Sequence, residues 1–558
     1  MFRINLRTDI LLGRLISCVG SRSGFVVAVC LVSLAPKAVV GGDPTPFIAP
    51  TGESAGSFFG HSVSDAGDVN DDGFGDVIVG APFGGSGRAY VYFGGSSTDE
   101  IADITLAGEP GVSTYGFPVS SAGDINGDGI ADLMVCAAGD NTFLGRVYIY
   151  FEGPGADTTA DLILFGEVAS DQFGAAAADA GDVNGDGFDD VIVGAPYNDA
   201  GGPGFGRAYV YCGGPSLDAI ADLVLTGQEA NDYLGYSVSA GDVDGDGSND
   251  LIVGALSNAE GDFEVGRVFI YYGGPDWDSI VDFKLTGEEP FDLFSHSVAG
   301  GADFNGDGFD EVIVGGLYAN RVEIDYGGPD TEETPTADLI LYGEMPGNVF
   351  GARVSDAGDM NGDGYGDVIV GGGAADGSDG GRAYVYLGGP SPDDIADLTM
   401  AGEAPFDGFG YGSGAGDFNG DGYDDVVVGA SRNDFAGQDA GRAYVYLGGL
   451  ELTPGGQDVS DANIDSPSVG EILLSSPYPN PLHAARTSFV QFALGRSASV
   501  HLSLQDVQGR TVANRERESF AGGTHSVSWN PGVLPSGVYY LRIEADGDVA
   551  TRKWVILR

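Results

Sequence analysis

Apolar residues along this chain fall into short runs of four to seven rather than into the longer stripes of amphipathic helices. Between residues 173 and 227, AAAADAG leads into an acidic loop and DVIVGA leaves it, then RAYVY and DLVLTG follow at Gly-rich intervals. β-Branched and aromatic residues fill the runs, and Gly, Pro, Asp and Ser clusters separate them, so the pattern predicts four short strands.

The unit recurs. Acidic nonapeptides stand at DVNDDGFGD (68), DINGDGIAD (124), DVNGDGFDD (182), DVDGDGSND (242), DFNGDGFDE (303), DMNGDGYGD (359) and DFNGDGYDD (417), at spacings of 56, 58, 60, 61, 56 and 58 residues. A period of this length marks a repeat architecture. Four strands per repeat, seven times over residues 43–453, predict an all-β, seven-bladed β-propeller. The seventh repeat ends at GRAYVYLGG (441–449) without its outer strand, and TPFIAPTGE (45–53) lies ahead of the first loop. The N-terminal segment is therefore expected to close the last blade.

The loops carry oxygens at positions 1, 3, 5 and 9, with glycine at 6, the spacing of a cage for a hard divalent cation. These positions are Asp68, Asn70, Asp72 and Asp76 in the first copy, Asp124, Asn126, Asp128 and Asp132 in the second, and Asp182, Asn184, Asp186 and Asp190 in the third. They continue as Asp242, Asp244, Asp246 and Asp250, then Asp303, Asn305, Asp307 and Glu311, then Asp359, Asn361, Asp363 and Asp367, and finally Asp417, Asn419, Asp421 and Asp425. An EF-hand is excluded because position 12 of the third copy is Val193, inside a strand, where that motif needs a bidentate Glu and a helix. Solvated acidic turns are the plain alternative, made improbable by seven copies in one spacing. Calcium suits the cage better than magnesium, which resists dehydration.

Charge changes the picture next. The formal net charge is −59, which excludes a nucleic-acid partner. Residues 42–473 hold 76 acidic and 10 basic side chains, a net of −66, so up to seven structural Ca²⁺ ions would relieve repulsion and couple folding to calcium. Seven of the ten basic residues occupy one recurring position at the start of the third strand: Arg88, Arg146, Arg207, Arg267, Arg321, Arg382 and Arg442. Strand order puts this ring on the face opposite the acidic loops, where a structural clamp to carboxylates or carbonyls is expected. The loops of that face are the least uniform, among them FGGSG (83–87), YNDAGGPGFG (197–206), SNAEGDFEVG (257–266) and SRNDFAGQDAG (431–441), and recognition is expected there.

The repeat resembles the FG-GAP family found in integrin alpha propellers and bacterial surface proteins. Phe59-Gly60 with Gly80-Ala81-Pro82, and Phe173-Gly174 with Gly194-Ala195-Pro196, carry the resemblance; Leu234-Gly235, Phe294-Ser295, Cys136-Ala137-Ala138 and Gly371-Gly372-Gly373 depart from it. The resemblance implies calcium in the hairpin between the first two strands of each blade. It adds the position-7 backbone carbonyls of Phe74, Ile130, Phe188, Ser248, Phe309, Tyr365 and Tyr423 as ligands. Glu311 in place of Asp, with its extra methylene, is expected to loosen the fifth cage.

Residues 1–40 read as a secretory signal, with Arg3, Arg7, Arg14 and Arg22 ahead of GFVVAVCLVSLA. LISC (15–18) resembles a lipoprotein signal only faintly, since Arg14 interrupts the apolar stretch. No other segment is apolar for long enough to span a bilayer, so no transmembrane segment is expected in the mature chain. Cys136 and Cys212 sit at non-equivalent positions and are expected to be free, largely buried thiols. After a linker at 454–473, residues 474–558 hold nine basic against six acidic side chains and alternate as a small β-sandwich. The set SSPYPNP, DVQGR, SVSWNP, PSGVYYLRI and TRKWVILR resembles the C-terminal sorting domain of type IX secretion cargo and the related FlgD-like immunoglobulin fold. A plain Ig-like accessory domain is the alternative.

Enzyme signatures are poor: only five histidines, no HExxH and no GxSxG elbow. His61 and His296 share one strand position, which suggests packing. The expected protein is an exported, calcium-binding propeller, secreted or on the outer cell surface. It would act as an adhesion or ligand-binding module for an extracellular protein or glycan on the face opposite the loops, with secretion machinery as the partner of its tail. The alternative is a polysaccharide lyase.

Overall fold

The computed structural model describes residues 44–449, apart from 97, 113, 139–143, 154–156, 257–264, 276, 288–291, 329–336, 344–348 and 373–379, together with most of 472–557. The signal, most of the linker and most of the 257–266 loop lie outside the described residues.

In the first repeat, strands β1 (Ser62–Gly67), β2 (Asp76–Ala81), β3 (Arg88–Tyr92) and β4 (Ile104–Ala107) pair antiparallel in chain order. β2 reads DVIVGA and is buried along its whole length. A continuous apolar run fits a strand covered on both sides, since no position along it faces water. β4, at the outer edge, buries only Leu106. Six further sheets repeat the arrangement across 119–165, 176–226, 234–286, 297–342, 353–401 and 409–446, the last with three strands of its own.

The core lies between sheets rather than within them. Seven hydrophobic clusters each draw on two consecutive sheets, and one of them joins Val77, Val79 and Tyr90 of the first sheet to Val427 and Val445 of the last. That cluster closes the ring, and the fold is an all-β propeller. The Phe of the recurring Phe-Gly pair explains its own recurrence here: Phe59 packs edge-on against Tyr90 at 5.4 Å, as do Phe173 on Tyr209 and Phe350 on Tyr384.

The closing segment takes the expected place. Ile48 pairs with Val445 and Thr51 with Arg442, both antiparallel, and the N–H groups of Val445 and Ala443 donate to the carbonyls of Ile48 and Pro50 at 3.0 and 3.1 Å. This is the register in which Leu223 and Thr226 meet Val210 and Arg207 in the third sheet. The first residues of the propeller thus complete its last sheet.

In the C-terminal region, strands 472–474, 488–494 and 523–529 form one sheet, and a six-stranded sheet includes Ala498–Asp506, Gly537–Ala545 and Asp548–Leu557. Trp529 of the first sheet packs with Leu502, Leu504 and Leu541 of the second, so the two sheets share one core. Cys136 is buried and Cys212 half-buried, both free. No helix among the described residues is long and apolar enough to cross a membrane.

Candidate metal loops and the opposite face

Each acidic nonapeptide turns between the first and second strands of its sheet, and its nine residues divide the work. The position-1 carboxylate accepts loop N–H groups: Asp182 Oδ1 from Gly185 and Asp186 at 2.8 and 3.0 Å, and Oδ2 from Gly187 at 2.8 Å. Gly187 sits at φ +90°, a conformation that a β-carbon disfavours, which explains glycine at position 6 in every copy. The position-9 carboxylate is fully buried, and where it is an Asp it ties the loop to the exit of the third strand. Asp190 accepts from Val183 N–H at 3.1 Å and from Gly213 N–H at 2.8 Å, and Asp76, Asp250, Asp367 and Asp425 repeat the pair of bonds. Glu311 bonds Phe304 N–H at 2.6 Å and Asn305 Nδ2 at 2.6 Å.

Position 7 has a part that no single repeat reveals. A Cβ added to Gly127, at position 4 of the second loop, would lie 2.2 Å from the ring of Phe188, at position 7 of the third. The same contact joins Gly245 to Phe309, Gly306 to Tyr365, Gly362 to Tyr423 and Gly420 to Phe74, the last across the closure. Backbone bonds run alongside: Asn249 N–H donates to Asp182 O at 3.2 Å, and Gly75 N–H to Asp417 O at 3.0 Å. The loops are couplers between sheets as well as turns within them.

The oxygens fit a cation. In the fourth and fifth loops, carboxylate oxygens of Asp242, Asp244 and Asp250, and of Asp303, Asp307 and Glu311, converge within 4.8 Å of one another. Two cage oxygens, Asn70 Oδ1 and Asp242 Oδ1, are buried with no hydrogen-bond donor, and a cation would supply what each lacks. Burial, reinforced by neighbouring carboxylates, pushes Asp76, Asp132, Asp190 and Asp250 up to about 7 and Glu311, Asp367 and Asp425 up to about 8. Such groups need a proton or a bound cation to rest comfortably at neutral pH.

On the opposite face each ring arginine begins its third strand, and most of the described pairs reach back to the preceding sheet. Arg146 meets Glu109 at 2.7 Å, Arg207 meets Glu167 at 2.9 Å, Arg442 meets Glu403 at 2.9 Å, and Arg88 pairs with Glu53 of the closing segment. Arg321 pairs most closely within its own strand, with Glu323 at 2.7 Å, and also lies 3.8 Å from Asp292 in the segment that follows the preceding sheet. The pairs are partly exposed, so each adds on the order of 0–1 kcal/mol. Nearby, a cavity of about 720 Å³ opens among the loops that enter the first strands and join the second to the third. Phe58, His61, Phe83, His296, Arg353 and Tyr411 are among the residues that line it.

Family comparison agrees with this geometry. A model described as the FG-GAP repeat matches residues 59–92, 118–150, 174–211, 234–271 and 409–446. One described as a secretion system C-terminal sorting domain matches 476–557. The chain carries FG-GAP repeats and a C-terminal sorting domain. Its fifth and sixth sheets fall outside the matched repeats yet have the same four-stranded order.

Among curated proteins, the chain is 35% identical over 233 residues to integrin alpha-5 of Xenopus laevis, which is 39% of this chain and 21% of that one. It is 35% identical over 224 residues to integrin alpha-PS2 of Drosophila melanogaster, 36% of this chain and 15% of that one. It is also 33% identical over 204 residues to the phosphatidylinositol-glycan-specific phospholipase D of Rattus norvegicus, 33% of this chain and 24% of that one. The chain thus spans a quarter or less of the relatives it matches. Among solved structures it is similar to PorZ, a bacterial surface component of the type-IX secretion system of Porphyromonas gingivalis, with a TM-score of 0.35 and 14% identity over 87% of this chain and 58% of that one. The sorting domain marks the chain as exported, to the cell surface or beyond it.

Proposed function

We propose that this protein is a calcium-stabilised propeller that binds an extracellular protein or glycan at the cell surface. Calcium occupies the acidic loops through positions 1, 3, 5 and 9 and the position-7 carbonyl. There it supplies positive charge that replaces protons on buried carboxylates and fixes the loops that couple one sheet to the next. The tail carries the chain through type IX export and is then removed or retained as an anchor. The observation that carries the ligand-binding reading is the division between faces: seven near-identical loops turned on their own carboxylates on one side, an open cavity framed by non-equivalent residues on the other.

An array of glycans and surface proteins, probed with the calcium-loaded chain, tests this. Saturable binding is expected, and a chain that binds nothing on the array would overturn it. A lyase is the second reading, favoured by Arg353, His61, His296 and Tyr411 lining one cavity, since guanidinium and proton-transfer groups are what uronate elimination requires. Ultraviolet absorbance from an unsaturated uronate, appearing with turnover, would select it.

A further inference from the structure

Residues 42–473 hold 76 acidic and 10 basic side chains, so the whereabouts of the basic ones is informative. Seven serve the arginine ring. Of the three left over, Lys284 lies in an outer strand, while Arg353 and Arg432 both line the 720 Å³ cavity. Neither makes an ion pair among the described residues. Arg353 donates through Nη1 to the Ala352 carbonyl at 2.8 Å, and its guanidinium lies 4.9 Å from the centre of the Tyr411 ring. Arg432 is exposed. Two guanidiniums without an ion pair among the described residues thus stand beside one opening.

The surroundings form a collar. The ring of His61 contacts Phe117 of the second sheet at 4.5 Å and Tyr411 of the seventh at 5.7 Å. His296 of the fifth sheet contacts Tyr236 of the fourth at 5.5 Å, and its Nδ1 lies 3.2 Å from the Ala352 carbonyl beside Arg353. With the Tyr411–Arg353 contact, these residues run through six of the seven sheets at the entrances of their first strands. His61 Nδ1 is buried and has no partner. Burial first, then the charges of Arg353 and Arg432, hold the His61 imidazole down at about 4, so it is neutral at pH 7. Around the rim, Phe83 and Phe406 are 46% and 60% exposed. A second hollow of about 510 Å³ shares Phe58, Phe406 and Arg432, and Glu403, Asp407, Asp434 and Asp439 line its far side, so a carboxylate is accepted only on the side of Arg432 that faces the larger cavity.

We propose that this collar binds a glycan through a single uronate, with the carboxylate on Arg353 and Arg432 and the sugar face on the exposed rings. Guanidinium forks match a carboxylate, and aromatic faces accept the C–H side of a sugar. The cavity is of the size that encloses a small ligand. The surface around it is acidic, so a polyuronate lying across the face would be repelled and an isolated or terminal uronate is favoured. This rests on the ligand-binding reading above and narrows it to one site and one chemical group.

Calorimetry of the full, calcium-loaded chain with a glucuronate-terminated disaccharide and its glucose-terminated counterpart tests the proposal. The uronate is expected to bind at least about tenfold more tightly than the neutral sugar, with Arg353→Gln/Arg432→Gln losing about tenfold at an unchanged melting temperature. Arg432→Gln alone, at an exposed position, should lose part of the affinity and guards against a folding defect in the double variant. Arg146→Gln, in the arginine ring, should bind as the parent does. Equal affinity for the two sugars, no binding of the uronate, full affinity in the double variant, or equal competition by a glutamate-terminated peptide would each overturn it. If the array finds a ligand that ignores Arg353 and Arg432, this site fails while the ligand-binding reading stands.

Discussion

The ring arginines and the pair at the collar are the same side chain used in opposite ways. Arg146, Arg207 and Arg442 each have a glutamate within 3 Å on the preceding sheet, and their positions repeat with the fold. Arg353 and Arg432 stand at unrelated positions, one opening a first strand and one in a connection between second and third strands, with no ion pair in the described structure. Repetition in this chain marks what holds the ring together, and departure from repetition marks where something else is meant to dock. The acidic loops obey the same division, since every oxygen pattern that recurs serves a turn or a contact between sheets.

One deletion and two sets of substitutions sharpen the comparison, in decreasing order of effect. Removing residues 43–53 takes away Ile48, the bonds to Val445 and Ala443, and Glu53. Burial of an Ile side chain and several hydrogen bonds together predict a loss of about 5 kcal/mol in urea unfolding. Unchanged unfolding would mean that the closing segment decorates the last sheet without securing it.

Gly127→Ala comes next, because its methyl would meet Phe188 at 2.2 Å in a residue already at φ +77°. It should cost about 2–4 kcal/mol, against about 1 kcal/mol for Gly187→Ala, which has open space and only an unfavourable φ. Equal costs would show that the contact between loops carries no energy.

The smallest effect concerns the inner strands. Burial, followed by the charges of Asp189 and Asp65, raises Asp179 to about 7, while its Oδ1 accepts the Gly181 N–H at 2.8 Å. The folded chain therefore binds a proton that the unfolded chain releases between about pH 4 and about pH 7, and stability falls as pH rises through that window. Asn keeps the acceptor without the charge. Asp179→Asn should be more stable than the parent by at least about 1 kcal/mol at pH 8 and little different at pH 4, as read by urea unfolding at both.

Much of this was legible in the sequence. The four runs per repeat, the cage positions and the missing outer strand all recur with the period, and a recurring signal survives without coordinates. Position 7 was read for its backbone carbonyl, yet its side chain does separate work over the glycine of the preceding loop. Glycine at 4 and an aromatic at 7 are both visible in the repeats, but their contact crosses sheets and so leaves no local spacing. The collar left less trace. His61 and His296 share a strand position and read as packing, while Arg353, Tyr411 and Arg432 come from non-equivalent places that only the closed ring brings together.

The central claim is that the acidic loops hold cations on which the coupling between sheets depends. Thermal unfolding of the full chain in excess calcium and in EDTA tests it most directly. With several sites each contributing about 2–3 kcal/mol at saturating ion, the account predicts a fall in melting temperature of at least about 10 °C on chelation, reversed by added calcium. Superimposable melts in calcium and EDTA would contradict it.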